Sequence, residues 1–258
     1  MSVITNHANA LYEALKSGTP IAPLRDSIQN DIPTAYAIQQ ALVERRLADG
    51  ERIVGKKIGL TSPAVQAQLG VDQPDYGVLF HTMDVSSSGR LSVSEVLQPK
   101  AEGELAFVLG KDLIGPKISM EELKNAIAAV HASIEIVGSR VSNWDIKISD
   151  TIADNASGSH FILGKEGKVL NEVPTAQVEM KLYKNGALVS EGSGAACMGD
   201  PLNAALWLAN TMAKGGRPLK AGEILLSGAL GPMVPVSSGD AFKVEIQGFE
   251  PVEILFTA

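Results

Sequence analysis

The segments 102-EGELAFVLG-110 and 133-SIEIVGSR-140 decide the fold, because both are typical of β-strands that carry carboxylates among apolar residues. Alternate side chains of a strand point to opposite faces, so Glu102 and Glu104 share one face of the first segment. Glu135 stands in the middle of the second segment with an isoleucine on either side. A buried carboxylate is costly unless it is paired, protonated or bound to a metal. The two segments therefore raise the question of what compensates three acidic groups.

Two interpretations of these three glutamates remain open on the pattern alone. If the two strands are neighbours, the carboxylates converge, and like charges so close together cannot all stay ionised without a counter-cation. Mg²⁺ or Mn²⁺ would satisfy them, because hard divalent cations prefer oxygen ligands and keep coordination positions for water and substrate. The alternative is a solvated strand face on which each glutamate points into water.

Further strands and a few helices surround the acidic segments. Apolar alternation and short apolar runs predict strands over residues 52–62, 104–110, 133–138, 160–164, 177–184, 223–228, 241–248 and 252–256. Asn185-Gly186 predicts a hairpin turn. Helical spacing and capping signals predict helices over residues 9–15, 33–50, 62–70, 120–130 and 202–213. Strands outnumber helices and do not alternate with them regularly, which indicates an α+β fold.

The composition excludes several classes of protein. The 258 residues are 45% hydrophobic, enough for a sizeable core, and the net charge of −7 comes with scattered lysines and arginines. Nucleic acid and anionic membranes are therefore poor partners. Cys197 is the only cysteine, so no disulfide can form within the chain. Because the sequence also lacks a signal peptide and an apolar run of the ~20 residues that span a bilayer, we expect a soluble cytoplasmic protein.

Seven stretches match a known family in order along nearly the whole chain. They are 53-IVGKKIGLTS-62, 69-LGVDQPDYGVLF-80, 98-QPKAEGELAFVL-109, 134-IEIVGSR-140, 150-DTIADNAS-157, 199-GDPLNAALWLAN-210 and 227-SGALGPMVPV-236. Through them the sequence resembles the 2-keto-4-pentenoate hydratases, which belong with the 4-oxalocrotonate decarboxylases in the fumarylacetoacetate hydrolase-like superfamily. The sequence departs from the family at Asp200, where histidine is common, and at Ser227, where threonine is common. Asp200 is a good helix N-cap, so we expect that change to be structural.

The resemblance implies a fold, a metal site and an assembly. It implies a mainly helical N-terminal portion over residues 1–70 and a catalytic core with a mixed β-sheet roll over residues 71–258. It implies that Glu102, Glu104 and Glu135 are the three ligands of a divalent cation, Mg²⁺ or Mn²⁺. Members of the family form homo-oligomers, often with fivefold symmetry, so the resemblance implies a pentamer or a decamer.

The resemblance also favours one reaction. Decarboxylases of the family usually lack the acid in the stretch corresponding to 74-PDYG-77 and differ in the loop corresponding to 228-GALGPM-233. We therefore expect metal-dependent hydration of 2-hydroxypenta-2,4-dienoate, a small 2-hydroxy-dienoic acid, to 4-hydroxy-2-oxopentanoate in aromatic meta-cleavage catabolism. The alternatives are decarboxylation of 4-oxalocrotonate, and a non-catalytic subunit associated with the decarboxylase or aldolase of the pathway. Hydrolysis of a C–C bond is disfavoured, because it generally uses a His–Glu pair and no histidine occupies a matching motif.

Five further residues are candidates for the active site. Lys57 and Asp75 are expected to transfer protons or to bind the substrate carboxylate. Ser157 is expected to hydrogen-bond the substrate or a water molecule, and Leu230 and Gly231 belong to a loop whose backbone N–H groups could meet substrate oxygens. The alternative is that Lys57 is a surface lysine, Asp75 a turn residue and Ser157 a loop serine, without a role in the reaction.

Other polar residues are expected to be structural. Arg140 is expected to form a structural ion pair, and Cys197 is expected to be a buried small residue. Lys56 and Lys57 lie on opposite faces of their strand, so at most one of them should point inward. The four histidines show no metal-ligand spacing.

Overall fold

The computed structural model describes residues 2–62, 66, 71 and 73–258. Apart from Ser62 and Gln66, the helix predicted over residues 62–70 lies outside the described residues. The described helices are α1 (Val3–Ser17), α2 (Ile32–Ala48), α3 (Met120–Ala126), α4 (Ile148–Ala153) and α5 (Pro201–Lys214). None of the helices described has the length and apolar character needed to cross a bilayer.

The two N-terminal helices begin and end at the residues that their capping signals indicate. Ser2 and Asp31 each accept a hydrogen bond from a backbone N–H in the first turn of α1 and α2. Gly18 ends α1 in the left-handed conformation, with φ at 67°. Asp49 rather than Gly50 is the C-cap of α2. The helices predicted over residues 9–15 and 33–50 are thus confirmed, although α1 extends further in both directions.

Within the described residues, twelve strands form two sheets. The strands are β1 (Ile53–Gly59), β2 (Asp75–Phe80), β3 (Arg90–Ser92), β4 (Lys100–Leu109), β5 (Ile127–Val137), β6 (Gly158–Leu163), β7 (Glu179–Lys184), β8 (Ala187–Ser193), β9 (Ile224–Leu226), β10 (Val234–Pro235), β11 (Ala241–Ile246) and β12 (Val252–Thr257). The larger sheet has the order β2-β1-β9-β4-β5-β6, with β10 beside β4, and the smaller sheet has the order β3-β12-β11-β7-β8. Parallel and antiparallel pairs both occur, so the predicted α+β class with mixed sheets is confirmed.

The two sheets approach each other closely at Gly103, which separates the two glutamates of β4. A Cβ on Gly103 would lie only 2.7 Å from Val244 Cγ2 of the smaller sheet. Because side chains alternate along a strand, the face of β4 opposite Glu102 and Glu104 is the face that packs on β7 and β11. The main hydrophobic core lies on that side, and the carboxylates lie on the other.

Helix α5 starts at one of the positions where the sequence departs from its relatives. Asp200 is the N-cap, and its Oδ1 accepts hydrogen bonds from Leu202 N at 2.9 Å and from Thr175 Oγ1 at 2.8 Å. Pro201 then occupies the first helical turn. The structural interpretation of Asp200 is therefore confirmed.

The structure corrects a further predicted boundary and adds four strands that no predicted range covers. The helix predicted over residues 120–130 ends at Ala126, and the next residue begins β5. The run from Ile127 to Val130 suits either element by composition, but pairing with β4 continues along it and decides for the strand. Strands β2, β3 and β10 were not predicted, and β8 was indicated only by the hairpin turn at Asn185-Gly186. Asp75 is the first residue of β2, although Pro-Asp-Tyr-Gly has the composition of a turn.

Candidate metal centre and active site

Three carboxylates gather where β4 and β5 run side by side in antiparallel register. Glu102 lies directly opposite Glu135, and Glu104 lies opposite Ser133. One oxygen from each of the three glutamates can be chosen so that all lie within 4.8 Å of one another. Glu104 and Glu135 are fully buried, whereas Glu102 is half-buried. The two strands therefore bring the predicted ligands together in the interior and not on a solvated face.

The buried oxygens of this cluster lack the partners that a metal-free protein would need. Within the part of the chain that is described, Glu104 Oε1 and both carboxylate oxygens of Glu135 have no hydrogen-bond partner. Glu104 Oε2 accepts one hydrogen bond, from Gly228 N at 2.9 Å. Unpaired buried carboxylates are rare in native proteins and point to an absent ion. The residues present fit a divalent cation held by oxygen ligands.

Burial and mutual repulsion make these carboxyl groups weak acids when no metal is bound. Burial, together with the charge of Glu135, raises the pKa of Glu102 to about 7. Burial and the same neighbour raise the pKa of Glu104 well above its ordinary value. Burial also raises the pKa of Glu135, against the opposing effect of Lys57. A bound cation would remove this repulsion and favour the ionised forms.

Lys57 is the cation that lies beside the carboxylates. Its Nζ lies 3.2 Å from Glu135 Oε1, an ion pair without hydrogen-bond geometry, and it donates a hydrogen bond to Ala156 O at 3.1 Å. Burial alone would lower the pKa of Lys57, but Glu135, Glu102 and the neighbouring acids together raise it. Lys57 is therefore held as a cation in the metal-free site.

The neighbouring Lys56 is buried as well, which corrects the expectation that at most one of the two lysines points inward. Lys56 lies on the opposite face of β1, where its Nζ is 3.2 Å from Glu223 Oε1. The side chains of Lys56 and Lys57 are only 7% and 3% exposed. Burial of both is possible because β1 is an interior strand of its sheet, and an acid compensates each lysine.

Asp75 meets Lys57 across a glycine. Gly59 pairs with Asp75 in the β1–β2 register, and a Cβ on Gly59 would lie 2.3 Å from Asp75 Oδ1 and 3.5 Å from Lys57 Nζ. Gly59 thus leaves open the space in which the two side chains approach each other. Asp75 is 1% exposed, and its Oδ1 has no hydrogen-bond partner among the described residues. Burial raises the pKa of Asp75 to about 6, although Lys57 opposes the shift.

Ser157 lies on the same side of the site and is connected to Asp75 through one hydroxyl group. Thr151 Oγ1 lies 3.2 Å from Ser157 Oγ and donates a long hydrogen bond of 3.4 Å to Asp75 Oδ2. Both hydroxyl residues are buried. The structure therefore brings Lys57, Asp75 and Ser157 together around the three glutamates.

The loop after β9 contacts the carboxylates through its backbone. The N–H of Gly228 donates to Glu104, and the N–H of Leu230 donates to Gly103 O at 3.0 Å. Leu230 is fully buried and Gly231 is half-buried. Because the N–H of Leu230 already has a partner, it is not free to meet a substrate oxygen. The binding roles of Leu230 and Gly231 stay predictions.

Arg140 and Cys197 have the structural environments expected for them. Arg140 forms a buried ion pair with Asp154, and its backbone N–H also donates to that carboxylate at 2.9 Å. Its Nη1 donates to Gly158 O at 3.1 Å, so Arg140 braces the chain before β6. Cys197 is fully buried, and its Sγ lies 3.1 Å from Ser227 O. Burial raises the pKa of the Cys197 thiol to about 12, which leaves it a neutral packing residue.

The sequence model of the fumarylacetoacetate (FAA) hydrolase C-terminal family matches residues 53–254. The chain belongs to this family. The TodF product hydratase of Pseudomonas putida strain F1 is 52% identical over 250 residues, which cover 96% of this chain and 93% of that relative. The 2-keto-4-pentenoate hydratase of Paraburkholderia xenovorans strain LB400 is 48% identical with the same coverage of both chains. The family predicted from the sequence is thus confirmed.

A solved structure is similar to this chain over nearly its whole length. The 4-oxalocrotonate decarboxylase from Pseudomonas putida G7, complexed with magnesium and adipate, is 33% identical to this chain and superimposes with a TM-score of 0.94. The superposition covers 98% of this chain and 97% of the decarboxylase. Helices and sheets therefore correspond over nearly the whole length. The predicted division at residue 70 stays a prediction, and β1 before it lies inside the larger sheet.

Two polar residues near the site of this fumarylacetoacetate hydrolase family member were missed by the sequence analysis. Thr151 touches Asp75 and Ser157, and the side-chain amide of Asn155 pairs with the backbone of Val78. Both belong to the stretch 150-DTIADNAS-157, whose resemblance to the family was the only available signal. Their contacts join residues that are far apart in the sequence, so no local periodicity could have revealed them.

Proposed function

We propose that this chain hydrates 2-hydroxypenta-2,4-dienoate to 4-hydroxy-2-oxopentanoate in aromatic meta-cleavage catabolism. The observation that carries the proposal is the buried cluster of three carboxylates with the Lys57 cation beside it. The chain is 48% identical to a 2-keto-4-pentenoate hydratase and 33% identical to a 4-oxalocrotonate decarboxylase, with nearly complete coverage in both comparisons. Similarity therefore favours the addition of water over the loss of CO₂.

We assign the metal site of this reaction to Glu102, Glu104 and Glu135, which would hold Mg²⁺ or Mn²⁺. A divalent cation bound there would supply Lewis-acid stabilisation of negative charge on the oxygens of a 2-oxo acid. The three side chains offer only oxygen ligands, which is the donor set that these hard cations prefer. The oxygens of Glu104 and Glu135 that lack a hydrogen-bond partner among the described residues support the assignment.

Lys57 would bind and orient the substrate carboxylate. A protonated lysine has three N–H donors. One is engaged by Ala156 O, and Nζ also lies 3.2 Å from Glu135 Oε1, which leaves at least one donor for a substrate. The neighbouring acids raise the pKa of Lys57 in the metal-free site, and the position of its Nζ, 3.2 Å from Glu135 Oε1, supports a cationic role. Ser157 would donate its hydroxyl proton to the same carboxylate or to a bound water molecule. Leu230 and Gly231 would border the substrate on the side of β9.

Asp75 would act as the general base. Burial raises its pKa to about 6, and a base works best when its pKa is near the operating pH. The substrate loses the proton of its C2 enol hydroxyl and gains a proton at C5, which gives the 2-oxo-3-ene. Water then adds its hydroxyl group to C4 while Asp75 takes up a proton, and C3 receives a proton. The balance is the addition of one molecule of water.

We place this enzyme in the cytoplasm as a homo-oligomer, a pentamer or a decamer, that can associate with the decarboxylase or aldolase of the pathway. Exposed apolar side chains support an assembly: Leu188 and Val189 of the edge strand β8 are 48% and 41% exposed, and Met233 is 41% exposed. Light scattering coupled to size-exclusion chromatography measures the number of subunits. A monomer at micromolar concentration contradicts this part of the proposal.

Incubation with two substrates tests the proposed reaction. The purified protein, supplied with Mg²⁺ or Mn²⁺, is mixed separately with 2-hydroxypenta-2,4-dienoate and with 4-oxalocrotonate. We expect loss of the dienol absorbance and, in D₂O, 4-hydroxy-2-oxopentanoate that carries deuterium at C3 and C5 by NMR. Release of CO₂ from 4-oxalocrotonate without hydration of the dienol would instead identify a decarboxylase. A preparation that binds neither cation and converts neither compound would identify a non-catalytic subunit.

A further inference from the structure

The turn between α4 and β6 follows an unusual backbone path beside the active site. Asn155, Ala156 and Ser157 all have positive φ angles, of 55°, 51° and 53°. Residues with a Cβ disfavour this left-handed region, and non-glycine residues occupy it singly far more often than in succession. Such a conformation persists only where the surrounding structure determines it, and it is frequent at functional sites.

This left-handed turn supplies two of the groups that surround the reacting centre. The carbonyl of Ala156 accepts the hydrogen bond from Lys57 Nζ at 3.1 Å, and the hydroxyl of Ser157 lies 3.2 Å from Thr151 Oγ1. The directions of the Ala156 carbonyl and of the Ser157 side chain both depend on the sign of φ along the turn. A right-handed or extended path would rotate the Ala156 carbonyl away from Lys57.

The side chain of Asn155 holds the turn against strand β2. Its Oδ1 accepts a hydrogen bond from Val78 N at 2.7 Å, and its Nδ2 donates one to Val78 O at 2.9 Å. In the described sheet β2 is an edge strand, so this amide occupies the place of a neighbouring strand. The fit is close, because a Cβ on Gly77 would lie 2.3 Å from Asn155 O. Asn155 itself is 3% exposed.

We propose that Asn155 is a positioning residue for the hydration reaction proposed above, on which this inference rests. Through its paired hydrogen bonds to Val78, Asn155 fixes the left-handed turn on β2. This turn directs the Ala156 carbonyl towards Lys57 and fixes the position of the Ser157 hydroxyl. The hydrogen bonds of the Asn155 side chain go to Val78 and not to the three glutamates, so we expect its effect to reach the reaction through Lys57 and Ser157.

The chain offers a closely matched control at a distance from the site. The side chain of Asn210 in α5 makes the same pair of hydrogen bonds with Ile118, accepting from its N–H at 2.8 Å and donating to its carbonyl at 3.1 Å. Asn210→Ala therefore removes the same pair of hydrogen bonds as Asn155→Ala, together with one from Asn210 Nδ2 to Leu206 O at 3.1 Å, without touching the turn. Asn155→Asp is the second variant, because it keeps the shape and the acceptor for Val78 N–H and replaces the donor to Val78 O by a carboxylate oxygen.

The test compares these variants at a temperature at which each is folded by circular dichroism. We expect kcat for the dienol to fall by about 10- to 100-fold in Asn155→Ala, as for other small misplacements of reacting groups. We expect Asn210→Ala to keep kcat, and both variants to keep the Mg²⁺ dissociation constant. Equal kcat values in the two alanine variants, or a matching loss of Mg²⁺ affinity in Asn155→Ala, would overturn the proposal.

A second measurement does not depend on catalysis. Mass spectrometry follows acetylation of Lys57 by acetic anhydride, with Lys56 as the internal reference. We expect faster acetylation of Lys57 in Asn155→Ala and Asn155→Asp than in wild type or Asn210→Ala, because the Ala156 carbonyl no longer holds its Nζ. Unchanged acetylation rates overturn the inference even if the wild-type protein fails to hydrate the dienol, and that failure by itself overturns only the proposed function. If Asn155→Ala does not fold, both criteria apply to Asn155→Asp.

Discussion

Glu102 and Glu135 face each other directly across the antiparallel pair of β4 and β5. Opposite residues on neighbouring strands have side chains in contact, so two carboxylates at such a position repel each other. Glu104 joins them from the same face of β4, with all three glutamates within 4.8 Å through one oxygen each. The sheet therefore holds three acids together at a cost that a bound cation would offset.

Replacement of Glu104 by glutamine should abolish metal binding while the fold survives. Glu104→Gln keeps the shape of the side chain and removes its charge, so we expect kcat to fall by more than about 100-fold, beyond the usual loss when groups around metal ligands are changed. Isothermal titration with Mg²⁺ and steady-state kinetics measure the two effects. In a chelator the variant should unfold at the same denaturant concentration as wild type or at a higher one, because a buried repulsive group is gone.

The control for this variant is Glu223→Gln on the other face of β1. Glu223 pairs with buried Lys56 as Glu135 pairs with Lys57, so Glu223→Gln removes the charge of a glutamate that compensates a buried lysine outside the metal site. We expect reduced stability and unchanged kcat in Glu223→Gln. Retention of wild-type turnover by Glu104→Gln would exclude the proposed ligand set.

Metal affinity should increase as the pH rises through neutrality. Burial and the charge of Glu135 raise the pKa of Glu102 to about 7, and they raise the pKa of Glu104 well above its ordinary value. The metal-free site therefore holds protons that binding must release, and fewer remain to be released as the pH rises. Titrations with Mg²⁺ at pH 6 and at pH 8, in buffers of different ionisation enthalpy, measure the affinity and the number of protons. Equal affinity at both values would contradict the assignment.

The metal should stabilise the fold, and the stabilisation should be greater at higher pH. A native-state pKa that is raised for an acid means that the metal-free protein loses stability as the pH rises, because the unfolded chain gives up those protons more readily. A ligand at about 100 times its dissociation constant adds roughly 2.7 kcal/mol to the free energy of unfolding. Urea unfolding with Mg²⁺ and with a chelator measures the difference. A smaller difference at pH 8 than at pH 6 would be inconsistent with this linkage.

The hydroxyl of Thr151 should matter more than its volume. Thr151→Val has almost the same shape and lacks the oxygen that lies between Asp75 and Ser157, so we expect kcat to fall by about 10-fold, within the range attributed to positioned proton-transfer groups. Thr151→Ser restores the oxygen and should recover most of the activity. Steady-state kinetics with the dienol compare the three proteins. Equal activity of the valine and serine variants would show that the hydroxyl has no role.

A methyl group at Gly59 should disturb the reaction without unfolding the protein. In Gly59→Ala the new Cβ would lie 2.3 Å from Asp75 Oδ1, so the carboxylate must move away from Lys57. We expect kcat to fall by about 10- to 100-fold. Gly215→Ala is the matched control, because its φ is −78° and its nearest neighbour lies 3.4 Å from the new Cβ. Steady-state kinetics of both variants measure the effect. Full activity of Gly59→Ala would contradict the proposed role of Asp75 beside Lys57.

Alternate side chains of a strand share a face, so the sequence alone predicted that Glu102 and Glu104 lie on the same side. The prediction was possible because the two residues belong to one strand. The convergence with Glu135 was left open by the pattern, because it requires two strands to be neighbours. Strand β2 was missed because Pro-Asp-Tyr-Gly suits a turn, and only its pairing with β1 makes it extended. Thr151 and Asn155 could not be assigned roles, since their partners are brought near them by the packing of α4 on β2.

The two buried lysines of β1 have a consequence for how the chain finds its correct alignment. If β1 slipped by one residue, Lys56 and Lys57 would exchange sides, and a lysine would still lie on the side of Glu135 and another on the side of Glu223. Charge alone is thus a poor guide against that error, and steric fit must supply the discrimination. Two glycines provide it: a Cβ at position 55 would lie 1.9 Å from Ile224 O, and a Cβ at position 59 would strike Asp75. Only the native register places a glycine at both positions where a Cβ would clash. The glycines of this strand therefore select the native register, which the charges alone do not.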